Sequence, residues 1–306
     1  MKMGWCTRWC VLLLWLAAGT VQAAGVAEAR KQVEASMLVT GRVTITREGT
    51  VSDWTIDQRE KLPDVVAGMI DAAAPGWRFE PIEIDGKPAH GSARMGLLMV
   101  AERVDDERFR VSIRSGHFGR DAVLMARSRE RRDRRDDEAD KPIADDRLTG
   151  LEMRPPAYPA LALQAGVQGT VYVIVRVDRS GRVQDAAVEQ VNLRVVGNGR
   201  EMARMRDLLA KPALAAARKW TFRIPVSGEW ADEESWSARV PVDYAFANGK
   251  QPGYGEWQAY IPGPRQPVPW RLESLEGFDI APDALIAGEV HQVGTGLKLL
   301  GPLEGG

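Results

Sequence analysis

The chain has 306 residues, 44% of them hydrophobic and 27% charged. That is the balance of a globular protein of about two domains, at roughly 100–200 residues each, and it excludes global disorder and a collagen-like fibre. The formal net charge of -1 supplies no polybasic surface, so nucleic acid is not an expected partner.

The first residues read as an address. Lys2 and Arg8 precede the short apolar run Cys10–Ala18, and Val21-Gln22-Ala23 follows with small residues at the two positions a signal peptidase reads. The run is about half of the roughly 20 residues a spanning helix needs. Residues 1–23 are therefore expected to be a cleavable signal peptide, with an uncleaved anchor as the alternative. The only cysteines, Cys6 and Cys10, lie in this segment. A mature chain without thiols suits an oxidising compartment, and no disulfide framework or Cys-based zinc site is available to it. The three histidines, His90, His117 and His291, have no ligand spacing, so no metal or other cofactor is expected.

Beyond the leader an internal repeat organises the chain. Residues 43–56 read VTITREGTVSDWTI and residues 175–188 read VRVDRSGRVQDAAV, so Gly49 matches Gly181, Val51 matches Val183 and Asp53 matches Asp185. Each segment alternates apolar and polar residues about a glycine, the pattern of a β-hairpin with one buried face. In the second copy Val171, Val173, Val175 and Val177 share one face and Tyr172, Ile174 and Arg176 the other. A helix is expected after each hairpin: in the first copy Leu62, Val65, Val66, Met69, Ile70 and Ala73 form an apolar stripe, and in the second the counterpart runs roughly from Lys211 to Lys219. Matching Trp77-Arg78-Phe79 and Trp220-Thr221-Phe222 follow as expected core residues. A last strand closes each unit, near 93–101 and 236–246. The second copy carries extra residues around Asn192 to Met205. The fold class predicted is α+β: two tandem β-β-α-β units, each a small antiparallel sheet on a helix, spanning 24–120 and 151–247.

Residues 121–150 between them form a charged linker, with seven basic and eight acidic side chains within 127–146, a density that reads as a solvated hinge or exposed helix. The tail, 248–306, is rich in Gly and Pro, with Tyr254, Trp257, Tyr260 and Trp270 interleaved. It reads as an extended segment draped over a domain, with one further short strand between His291 and Leu300. His117, in Arg114-Ser-Gly-His-Phe-Gly119, reads as a surface-loop histidine, and no catalytic motif accompanies it. No enzyme activity is expected.

Five landmarks stand in order in the second unit: Arg154-Pro-Pro-Ala-Tyr-Pro159, Gly166-Val-Gln-Gly-Thr-Val171, Asp178-Arg-Ser-Gly-Arg-Val183, Ala216-Ala-Arg-Lys-Trp-Thr-Phe222 and Val240-Pro-Val-Asp-Tyr-Ala-Phe246. On these, residues 152–247 resemble the TonB C-terminal domain family, and 37–103 look like a diverged copy lacking the Tyr-Pro segment. The resemblance implies a periplasmic domain that grips an extended segment of an outer-membrane transporter as a strand beside its own last strand. By that likeness the partner-binding edge is Ser237, Arg239, Pro241, Asp243, Tyr244 and Ala245, and the leading segment that also touches the partner is Arg154, Pro155, Pro156 and Tyr158. This chain has Pro155 where the family's transducers typically place Gln before a Pro. An open edge has independent support, because Pro241 has no N–H to give a central ladder.

The expected function is that of an exported periplasmic binding protein docking on extended protein segments by β-strand addition. Two alternatives stand beside it. One is a membrane-anchored energy transducer on the periplasmic side of the inner membrane, touching the membrane only if the N-terminal segment is retained. The other is a structural cell-envelope protein that self-associates through its edges.

Overall fold

The computed structural model describes residues 33–84, 86–105, 108–119, 146–246, 252–270 and 282–304. The signal-peptide region and all but the last residues of the charged linker lie outside the described residues.

The first unit is a mixed α/β structure with β1 (Glu34–Ile45), β2 (Val51–Ile56), α1 (Asp64–Ala73), a small hairpin of β3 (Ile82–Ile84) and β4 (Lys87–Ala89), then β5 (Gly91–Arg103) and β6 (Phe109–Gly119). The second runs β7 (Thr149–Glu152), α2 (Ala160–Gln164), β8 (Gly169–Asp178), β9 (Val183–Leu193), α3 (Gly199–Ala217), β10 (Thr221–Arg223) and β11 (Ser235–Tyr244). The tail adds β12 (Gln258–Tyr260) and β13 (His291–Gln292). All strand pairs are antiparallel. One sheet has the order β12-β1-β5-β6, with β2 also on β1; the other has the order β13-β11-β8-β9.

The two hairpin turns make the same bonds. Thr46 N–H donates to Thr50 O at 2.8 Å and Asp178 N–H to Arg182 O at 2.9 Å. Gly49 and Gly181 stand at φ 78° and 75°, a region open to glycine without penalty. A Cβ at either would lie about 2 Å from the carbonyl of Phe79 (1.9 Å) or Phe222 (2.1 Å). Each glycine carbonyl in turn accepts from that phenylalanine's N–H, at 2.8 and 2.7 Å. The turn thereby clamps the Trp-x-Phe segment, and Trp77, Phe79, Trp220 and Phe222 are all buried, as expected.

One core lies between α1 and the first sheet, with Val39, Val43, Val66, Ile70, Met95 and Leu97 fully enclosed. The other lies between α3 and the second sheet, where Val171, Val173, Val175 and Val177 have no exposed area; burying each contributes on the order of 2 kcal/mol.

The structure corrects four expectations. Val65 is exposed, because α1 turns Val66, Ala67, Ile70 and Ala73 inward. α3 starts at Gly199, well before Lys211: Asn198 and Glu201 form a reciprocal capping box, and Pro212 sits within the helix. Residues 199–210 thus belong to that helix. Residues 109–119 form a strand that was not expected. Finally, the sheet faces turned away from the helices are buried too, with Tyr172 and Ile174 6% and 0% exposed.

The tail contributes to that second burial at Tyr172. It runs between the inner faces of the two sheets, beside a cleft of about 340 Å³ lined by Leu38 and Leu98 from one sheet, Tyr172 and Arg194 from the other, and Tyr260 and Leu285 from the tail. Tyr260 and Ala284 pack with Leu98 and Val100. Gly96 admits this close approach, since a Cβ there would lie 2.5 Å from Ala284 O. The tail touches both units in turn. Tyr254 bonds the backbone of Thr40, Ile261 exchanges two backbone bonds with Leu193, and Leu297 and Leu300 donate to Phe118 O and Arg78 O at 2.9 and 2.8 Å.

Candidate functional site: the outer flank of the last strand

β11 pairs along its whole length with β8, from Ser235↔Asp178 to Tyr244↔Gly169. In an antiparallel strand successive residues turn their backbone groups to opposite neighbours. Pro241 O accepts from Gly288 N–H at 3.0 Å and Ser237 O from Val293 N–H at 2.8 Å, so Ser237, Arg239, Pro241 and Asp243 face the outer flank. The missing N–H of Pro241 falls on that outer side and costs the β8 ladder nothing. Pro241 is where an edge strand tolerates proline.

The flank is nevertheless not free. β13 lies on it, with Ala238↔Gln292 and Arg239↔His291 in register. The sequence reading of an open edge is corrected on this point. A row of unpaired backbone groups attracts any extended segment, and a tail of the same chain is held nearby at high effective concentration.

The side chains of the six edge residues divide sharply. Arg239 forms a buried two-pronged ion pair with Glu189, Nε to Oε2 at 2.6 Å and Nη2 to Oε1 at 2.9 Å, with both side chains under 5% exposed. Ser237 Oγ accepts from Trp270 Nε1 at 3.1 Å, and Pro241 is buried. Asp243 is exposed and pairs with Arg194, with Thr170 Oγ1 donating to it at 2.8 Å. Tyr244 is buried, and burial raises its hydroxyl above the ordinary tyrosine range. Ala245 is half-buried.

The leading segment reaches the same end of β11. The ring of Tyr158 stands edge-on to Tyr244 at 5.4 Å and stacks on Phe246 at 5.5 Å, and its hydroxyl donates to Val167 O. Arg154 O accepts from Trp220 Nε1 at 3.0 Å, while the side chains of Arg154 and Pro155 are exposed and Pro156 is half-buried. The fold therefore brings Tyr158 to Tyr244 and leaves Arg154 and Pro155 on the surface nearby.

Four groups at this site escaped the sequence reading. His117 lies in β6, not in a surface loop, edge-to-face with His291 of β13 at 5.1 Å. Its Nδ1 is enclosed without a partner, and burial, then His291 and Arg239, push its pKa down to about 3. Burial lowers His291 as well, and its Nε2 lies 3.1 Å from Ile286 O. Arg94 of β5 donates to Glu289 at 3.0 Å, and Leu148 N–H donates to Gln292 Oε1 at 2.9 Å. Alternation of Val111 and Ile113 with Arg110, Ser112 and Arg114 could have revealed β6; the glycines at 116 and 119 masked it.

Among the described residues no group of three or more His, Cys, Asp or Glu could hold a metal ion, and no helix is long and apolar enough to cross a membrane. A stretch of 100 residues, 32% of this chain, is 39% identical to "Protein TonB" of Xanthomonas campestris pv. campestris, in two strains. The match spans 38% of that protein's own length. No family model and no solved structure matches the chain.

Proposed function

We propose that the chain is a non-enzymatic docking protein of the cell envelope, working in the periplasm or on the periplasmic side of the inner membrane. Its second unit takes an extended protein segment as an added strand along the outer flank of β11, and a segment of an outer-membrane transporter is the partner class. The observation that carries this reading is the seating of β13: His291 and Gln292 lie antiparallel on β11, and the flanking Gly288 and Val293 N–H groups bond Pro241 O and Ser237 O. An edge that accepts one extended segment is chemically able to accept another. The likeness to a protein called TonB supports the same reading, over 100 residues, about the length of one unit.

We read the two units as copies of one β-β-α-β plan. The shared turn bonds at Gly49 and Gly181, and their shared clamp on Phe79 and Phe222, support this reading. Docking is assigned to the second copy because, among the described residues, it has the Tyr158–Tyr244 contact beside the edge.

A photoreactive residue at Ala245 in the full chain tests the reading. The expected product is an adduct with an outer-membrane protein, mapped to an extended segment on its periplasmic side. Ser237→Pro and Asp243→Pro remove outward N–H groups while sparing the bonds to β8, and they should reduce that adduct at least fivefold. Equal adduct yield from the proline variants would overturn strand addition.

A further inference from the structure

The place beside β11 has a counterpart in the first sheet, where it is filled by β6. There β6 pairs with β5 over ten residue pairs, from Arg94↔Gly119 to Arg103↔Phe109. Beside β11 stands β13, with two. A ten-pair ladder is a permanent strand of its sheet, whereas a two-pair ladder is the kind of contact that opens locally.

These two outer strands meet. His117 of β6 and His291 of β13 are in ring contact, and Leu297 donates to Phe118 O just beyond. The seat of β13 is therefore a slot with two walls, β11 from the second unit and β5–β6 from the first. It borders a cavity of about 280 Å³ whose lining includes Arg94, His117, Leu148 and Gln292.

Each side chain seated in the slot meets a definite group. Glu289 pairs with Arg94, Val290 packs against the second core, Gln292 accepts from the Leu148 N–H, and Val293 is 6% exposed. The Arg94–Glu289 pair is about 40% exposed on both sides. It therefore adds little holding strength, but a charge at the rim selects partner and register.

We propose that residues 288–293 are an internal stand-in for a guest segment, and that the first unit is the far wall of one composite slot, not a second docking module. The guest chemistry follows from the stand-in: a segment reading acid, β-branched, a ring to meet His117, carboxamide, β-branched. This rests on the docking reading above and adds to it the guest's chemistry and the competition it must win. A tethered segment acts at an effective concentration in about the millimolar range. A guest displaces it by running on along Val242–Tyr244, where a two-residue strand makes no ladder.

The test uses the full chain and a fluorescent peptide of its own residues 286–296, followed by anisotropy. Val290→Ala with Gln292→Ala in the protein weakens the stand-in and should tighten peptide binding at least tenfold. Ala238→Cys with Gln292→Cys, in a Cys6→Ser/Cys10→Ser background, joins two directly opposed residues. That chain should bind no peptide when oxidised and recover on reduction, which also serves as its own folding control. Arg94→Glu in the weakened chain should lose affinity at least fivefold, and a peptide carrying Glu289→Lys should regain it. Binding equal in the parent, weakened and locked chains overturns the stand-in, and a charge swap without rescue overturns the far wall. An outer-membrane adduct that persists in the locked chain would sink the slot and spare docking. Peptide exchange as expected with no such adduct would do the reverse.

Discussion

Arg239 and Glu189 carry opposite charges inside the second sheet, each less than 5% exposed. Taking two charges out of water is costly, and their attraction offsets that only while both are present. Arg239→Met should therefore destabilise the fold by about 3–5 kcal/mol, because a carboxylate is left alone in the interior. Adding Glu189→Leu should restore most of the loss, and urea unfolding of the single and double variants measures both. A double variant as unstable as the single would show that Arg239 matters through its packed stem. The pair also explains why Arg239 is a poor candidate for direct partner contact: its donors are already committed within the sheet.

At the scale of the element, the two hairpins depend on a backbone shape more than on side chains. Gly181 combines positive φ with a carbonyl where its Cβ would stand. Gly181→Ala should cost about 2 kcal/mol or more, read as a lowered urea midpoint with unchanged slope. Gly49→Ala should behave alike, since its turn makes the same bonds to Phe79. The length of α3 shows the opposite dependence. Its start is set by two side chains, Asn198 and Glu201, which satisfy each other's backbone N–H groups.

The whole molecule is organised by its tail, which lines both inner sheet faces and occupies the β11 flank. Its junction with the first unit is the His117–His291 contact, faced by Arg94 and Glu289 on the rim, Arg147 in the cavity wall and Arg239 from β11. Both imidazoles are held below their ordinary value, chiefly by burial. In the unfolded chain they bind protons near pH 6.5. Their contribution is thus complete above about pH 6.5 and declines as pH falls toward the folded value, since the unfolded chain then binds more protons. Unfolding free energy should drop by about 2 kcal/mol or more between pH 7.5 and 5 through this junction. His117→Gln with His291→Gln should flatten that part of the profile, and denaturant titrations at both pH values check it.

Local periodicity determined what a segment does with its own two faces. The four valines of β8, the glycine turns and the buried Trp-x-Phe pairs could be read from residues a few positions apart, because alternation, positive φ and aromatic bulk act within one element. Pro241 likewise announced an outer flank, since a missing donor is a property of one residue. What fills that flank, and what covers Tyr172 and Ile174, was decided only by the tertiary structure. The tail binds largely through backbone groups that every residue carries, and its Gly- and Pro-rich text has no period to reveal a destination. The His117–His291 contact and the Arg239–Glu189 pair join residues 174 and 50 positions apart, so their chemistry exists only once the two sheets and the tail have come together.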